Sequence, residues 1–155
     1  MCTGSMRHIR RYVNDPGLRP LLDALVATAS PSLASQLAGP LTWVSPLAEQ
    51  NYAEYCDDMF LQACGLGQSA CAQLRSFWPA GGPCWDALAT VPLQGGSSGV
   101  LLVEAKAHLD ELMEQDATRA TGASLIQIEA SLREAAGALA RITYRGLVRR
   151  AFHSS

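Results

Sequence analysis

The sequence predicts an α+β domain, helix-rich overall, with a small central β-sheet built around one hairpin and flanked by helices. Two observations predict it. Apolar residues recur at helical spacing in segments before residue 80 and again after residue 108. Between Pro83 and Lys106 that period gives way to two continuous apolar runs joined by a Gly- and Ser-rich turn.

Residues 1–17 read as a loose N-terminal arm that ends in the turn signal Asn14-Asp15-Pro16-Gly17. Leu18, Leu21, Leu22, Leu25 and Val26 then follow the spacing of one helix face, and Ser30-Pro31 ends the helix. Pro31, Gly39, Pro40 and Pro46 make 31–46 a short helix followed by a loop. A second strong helix is expected from Pro46 to Ala63, with Tyr52, Tyr55, Cys56, Met59 and Phe60 on its apolar face and Glu54 off it. A third runs from Ser69 to Phe77, and Trp78-Pro79-Ala80-Gly81-Gly82-Pro83 is a hard break. The runs 84–91 and 100–106 are the two hairpin strands, with 95–99 at the tip. Leu109, Leu112 and Met113 fit a short helix. Leu125, Ile128, Leu132, Ala135 and Leu139 fit a long one. The expected organisation is the arm (1–17), one domain over 18–144 with its core in 47–140, and a basic tail (145–155).

Composition narrows the class. The chain has 155 residues, 48% hydrophobic and 17% charged, enough apolar material for one packed domain. A formal net charge of −2 argues against a strongly basic nucleic-acid binder but leaves room for an enzyme that touches nucleic acid through a local patch. No apolar run reaches the roughly 20 residues of a membrane span, and no apolar stretch follows the charged N-terminus as in a signal peptide. The expected setting is soluble and cytoplasmic. The five cysteines are odd in number and include no CxxC pair, a poor disulfide framework and no structural zinc site. Cys56, Cys64 and Cys71, at helical spacing among apolar neighbours, read as buried small residues.

The chemistry concentrates at the strand ends. Between Met59 and Val103 the only acid is Asp86, in the first strand. The second strand ends abruptly in charge, as Glu104-Ala105-Lys106. Residues two apart on a strand share a face, so Glu104 and Lys106 point one way and Ala105 the other. In an antiparallel hairpin Asp86 lies beside them. Lys106 is also the single lysine beside eleven arginines. Two carboxylates, a main-chain carbonyl and waters suit Mg²⁺ or Mn²⁺. A neighbouring lysine can orient a water or stabilise charge developing on a phosphate. A salt-bridged strand end would present the same three residues.

Asp86 followed by Glu104-Ala105-Lys106 resembles the Asp…Glu-x-Lys signature of the PD-(D/E)XK nuclease superfamily, the restriction-endonuclease-like fold. Trp78-Pro79, Gly82-Pro83, Trp85-Asp86-Ala87-Leu88 and Val100–His108 are also similar to a bacterial group within it, over about residues 47–140. The resemblance implies a metal-dependent hydrolase cutting phosphodiester bonds of nucleic acid, DNA first. It implies Asp86 and Glu104 as ligands of Mg²⁺ or Mn²⁺, with the Ala105 carbonyl as a further ligand and Lys106 as the catalytic lysine. Glu54, on a helix before the hairpin, His108 and Arg119 are its accessory candidates. That fold carries a further strand after its second core helix. Here only 142–148 remains to supply one, as in a truncated or minimal member. The alternative is a non-catalytic module on the same scaffold, its apolar helices pairing with a partner or with a second copy in a homodimer.

Overall fold

The computed structural model describes residues 4–82, 84–106 and 120–151, with side chains to residue 138. It is an α+β fold. The first helices are α1 (Ser5–Asn14), α2 (Arg19–Ala29) and α3 (Pro31–Ala34). Strand β1 (Thr42–Ser45) follows, then β2 (Tyr55–Cys56), α4 (Asp58–Ala63) and α5 (Gln68–Phe77). Strands β3 (Cys84–Trp85), β4 (Ala87–Pro92) and β5 (Ser98–Val103) lead to the long helix α6 (Gly122–Ala151).

The expected hairpin is present but shorter at its outer end than 84–91 and 100–106: Cys84-Trp85 pairs with β2 instead, and Glu104-Ala105-Lys106 lies past the end of β5. β4 and β5 pair antiparallel from Ala87 with Val103 to Pro92 with Ser98, and β1 adds to the other edge of β4. Gly95 and Gly96 at the tip have φ of 82° and 79°, a backbone that residues with a Cβ rarely adopt. β2 and β3 form a separate two-stranded ribbon, Tyr55 with Trp85 and Cys56 with Cys84.

One face of the three-stranded sheet carries the core. Ala87, Ala89 and Val91 of β4 pack there with Trp43 and Leu41, and Leu101, Val103 and Ala105 border them. The small alanines leave room for helix side chains. α1 fills that room with Ile9 and Val13, which are 7% and 0% exposed. Burying each stabilises by roughly 1.5–3 kcal/mol. Residues 1–17 are therefore no loose arm over their central part. Ile9 and Val13 are an i, i+4 pair, and the arginines around them kept that short apolar stripe from standing out.

The helix expected over Pro46–Ala63 is also corrected: only Asp58–Ala63 is α-helical, and a single 3-10 turn covers Ala48–Gln50. Asn51, Tyr52 and Asp57 take positive φ values of 54°, 56° and 49°, which no helix tolerates. Tertiary bonds hold the segment in this path. Asn14 Nδ2 donates to the Pro46 carbonyl at 2.6 Å, and Asn14 Oδ1 accepts the Ala48 N–H at 2.7 Å. Within the stretch read as helix and loop, Thr42-Trp43-Val44 is strand. Its β-branched and aromatic side chains suit a pleated surface.

The cysteines are corrected at one pair: Cys56, read as a buried small residue, is disulfide-bonded to Cys84, while Cys64 and Cys71 are free. The bond joins β2 to β3, and nothing in the cysteine spacing foretells it.

Helix α6 matches the long helix expected from Leu125, but it runs on through 142–151. The segment 142–148 is thus helix where a short strand was expected, and 145–151 of the expected tail is helical as well. Gln127 Nε2 donates to the carbonyls of Arg75 and Ser76, both at 3.2 Å, and the Ser131 hydroxyl donates to that of Phe77. These are carbonyls that the C-terminal turn of α5 leaves without helical partners. The helix expected from Leu109 to Met113 lies outside the described residues.

Candidate metal and phosphodiester site

Asp86 is the one residue between β3 and β4, so it sits where the chain leaves the ribbon and enters the central sheet. The β4–β5 register ends with Ala87 opposite Val103, so Asp86 and Glu104 are the first residues beyond the paired strands, at the same end of the hairpin. The two residues thus leave the sheet at the same end.

The side chains use it in a particular way. Asp86 Oδ2 accepts the Ala105 N–H at 2.6 Å. The carboxylate thus takes the place of a ladder carbonyl just where β5 ends. Lys106 Nζ lies 2.7 Å from Glu104 Oε1. Those two side chains are 33% and 49% exposed, so the pair contributes only about 0–1 kcal/mol to stability. Ala105 points into the core cluster, as the alternation requires.

Lys106 and Ala105 also line a pocket of about 330 Å³ against α1, whose His8 and Tyr12 form the opposite wall. The sequence does not announce this wall, because the stripe by which α1 meets the core, Ile9 and Val13, is short.

The accessory candidates separate from the centre. Glu54 does not ride on a helix. It follows the left-handed Asn51–Tyr52 turn and pairs with Arg10 of α1, Oε1 to Nη2, at 3.3 Å. Among the described residues no three His, Cys, Asp or Glu side chains gather into a group that could hold a metal, so Glu54 does not complete a set with Asp86 and Glu104. His108 and Arg119 lie outside the described residues.

Asp57 is a structural residue that the sequence does not announce. Its carboxylate accepts the N–H of Gly82 at 2.7 Å and of Gly81 at 3.0 Å, which closes the Trp78–Gly82 turn beside β3. Asp57 and the disulfide, one residue before it, together anchor the ribbon that delivers Asp86 to the sheet.

The donor set at the strand ends is two carboxylates and the Ala105 main chain. That suits a hard cation such as Mg²⁺, which takes one or two protein carboxylates and keeps several waters. It does not suit a soft metal, since no thiol or imidazole joins the group among the described residues. No helix among the described residues is long and apolar enough to cross a membrane. Comparison with protein-family models, with curated proteins and with solved structures gives no match.

Proposed function

We propose that the strand-end constellation Asp86, Glu104 and Lys106 supports metal-dependent hydrolysis of phosphodiester bonds in nucleic acid, DNA first. The observation that supports this reading is that Asp86 and Glu104 leave the β4–β5 hairpin at the same end, next to its last pair Ala87–Val103, with the single lysine bonded to Glu104. In this reading Asp86 and Glu104 hold a Mg²⁺ or Mn²⁺ ion, with the Ala105 carbonyl as a further ligand. Such an ion supplies Lewis acidity and favours ionisation of a nearby water. Lys106 exchanges its contact with Glu104 for one with a phosphate oxygen and stabilises charge developing there. The half-exposed state of both side chains leaves that exchange cheap.

A second reading is favoured by one specific observation. Asp86 and Glu104 each already have a partner inside the protein, the Ala105 N–H and Lys106. On that reading the scaffold is a non-catalytic interaction module, alone or as a homodimer, and the three residues terminate a strand. Titration of Mg²⁺ and Mn²⁺ by calorimetry, with a plasmid-nicking assay alongside, separates the two. Binding that is lost in Asp86→Asn and Glu104→Gln supports the first, and no ion binding supports the second. A cytoplasmic setting is part of the proposal. The Cys56–Cys84 bond weighs against it, since such bonds persist mainly in oxidising compartments.

A further inference from the structure

Helix α1 is charged out of proportion to the rest of the chain. The whole protein has a formal net charge of −2, yet the ten residues of α1 hold Arg7, Arg10 and Arg11 and no acid. Its faces are sharply divided. Ile9 and Val13 are spent on the core. His8 and Tyr12 face the pocket that Lys106 lines. Arg7, Arg10 and Arg11 line a separate open groove of about 590 Å³, which Tyr52 and Asp15 also border.

The arginines differ in their freedom. Arg10 is held in place, its guanidinium 5.1 Å over the Tyr52 ring and paired with Glu54. Arg7 and Arg11 are exposed and form no ion pair among the described residues. The one acid at the groove, Asp15, accepts the Gly17 N–H at 2.8 Å. Arg7 and Arg11 are one turn apart, about 6 Å along the helix axis. Phosphates of one strand rise about 3.4 Å each along the duplex axis, so this spacing is close to a rise of two phosphates.

We propose that α1 is a backbone-binding rail for nucleic acid, on which Arg7 and Arg11 hold consecutive stretches of phosphate beside the Lys106 pocket. Arginine suits this task because its planar fork matches phosphate oxygens. A membrane surface is disfavoured because a surface-lying helix must insert its apolar face, and that of α1 is buried inside the protein. The rail rests on the reading of Lys106 as part of a phosphodiester site for its orientation, but its binding is separable from cleavage.

The test is fluorescence anisotropy of a labelled 20-base-pair DNA duplex in EDTA, across a salt series, with the full chain. The Arg7→Gln/Arg11→Gln double variant is expected to bind on the order of 10–100-fold more weakly at 0.1 M salt. Its slope of log affinity against log salt should be shallower by about 2. Arg7→Lys/Arg11→Lys keeps the slope. Far-UV circular dichroism checks the helix. If the double variant loses helix signal, each single Gln variant is read instead, with an expected slope change of about 1. Unchanged affinity and slope in folded Gln variants overturn the proposal, as does tighter binding to phosphatidylserine vesicles than to the duplex. Arginine-dependent binding without metal-dependent cleavage supports the rail and overturns the catalytic reading. Cleavage that survives the Gln variants at the wild-type KM overturns the rail alone.

Discussion

The Asp86 carboxylate accepts the main-chain N–H of Ala105 at 2.6 Å, across the point where β4 and β5 part. The same contact joins two of the residues that the Asp…Glu-x-Lys pattern brings forward, and it has a structural consequence independent of any chemistry. A charge-assisted bond of this kind is worth about 1.5–3 kcal/mol when partly buried. Asp86→Ala should therefore lower the unfolding free energy by about 1–3 kcal/mol, while Asp86→Asn, which keeps an acceptor, should lose less. Urea unfolding of both variants checks the order.

The Cys56–Cys84 bond closes a loop with a sequence separation of 28 residues. In the chain-entropy account a loop of that size stabilises by about 3–4 kcal/mol. The Cys56→Ser/Cys84→Ser variant should show that loss in its urea midpoint, and wild-type protein in reductant should match it. A midpoint that does not move would show that the ribbon holds Asp86 without the bond.

Gly82 is a packing glycine. A Cβ placed there would lie 2.7 Å from Trp78 Cδ1 and 3.0 Å from Asp57 Oδ1. Gly82→Ala should cost about 1–3 kcal/mol through overpacking and loss of the Asp57 contacts. Gly67→Ala, where a Cβ meets nothing within 4 Å, should stay within about 0.5 kcal/mol. Thermal unfolding of the two variants measures the contrast.

Burial pushes the Cys64 thiol up from its ordinary range. Its native form therefore holds the proton more tightly than the unfolded chain does. The resulting stability is present below the unfolded pKa and is lost as pH rises through the native one. Two outcomes follow. Iodoacetamide should modify Cys64 at pH 8 more slowly than it modifies free cysteine. Cys64→Ala should lose less stability than wild type between pH 8 and pH 10, as read from urea midpoints.

The hairpin, the helix at Ser69–Phe77 and the long C-terminal helix were legible because each is decided by local period and by its Pro and Gly boundaries. The antiparallel pairing that brings Asp86 and Glu104 to one end of the hairpin was legible for the same reason, but the point where the strands stop was not: Cys84-Trp85 joins β2, and β5 ends at Val103. What escaped was decided at long range. Asn14 bonds to Pro46 and Ala48 across the fold and turns an apparent helix into an irregular path. Cys56 meets Cys84 only once β2 and β3 pair. Helix α1 carried a readable signal, Ile9 and Val13 one turn apart, but two apolar residues among arginines form a stripe too narrow to stand out. The Arg10–Glu54 pair follows from both misreadings, because neither the helix nor the left-handed turn that bring the two residues together was expected.

The most direct test of the central claim is the Mg²⁺-dependent plasmid-nicking rate of wild type, Lys106→Ala and Lys106→Arg, measured side by side. The account predicts cleavage by wild type that EDTA abolishes, and a loss of about 100- to 1000-fold in Lys106→Ala with its fold intact. It predicts no recovery in Lys106→Arg, because guanidinium is neither a compact point charge nor a group whose pKa shifts readily. Lys106→Arg nicking at the wild-type rate, or a wild-type chain that cuts no nucleic acid in Mg²⁺ or Mn²⁺, would contradict it and leave the Glu104–Lys106 pair as a surface salt bridge.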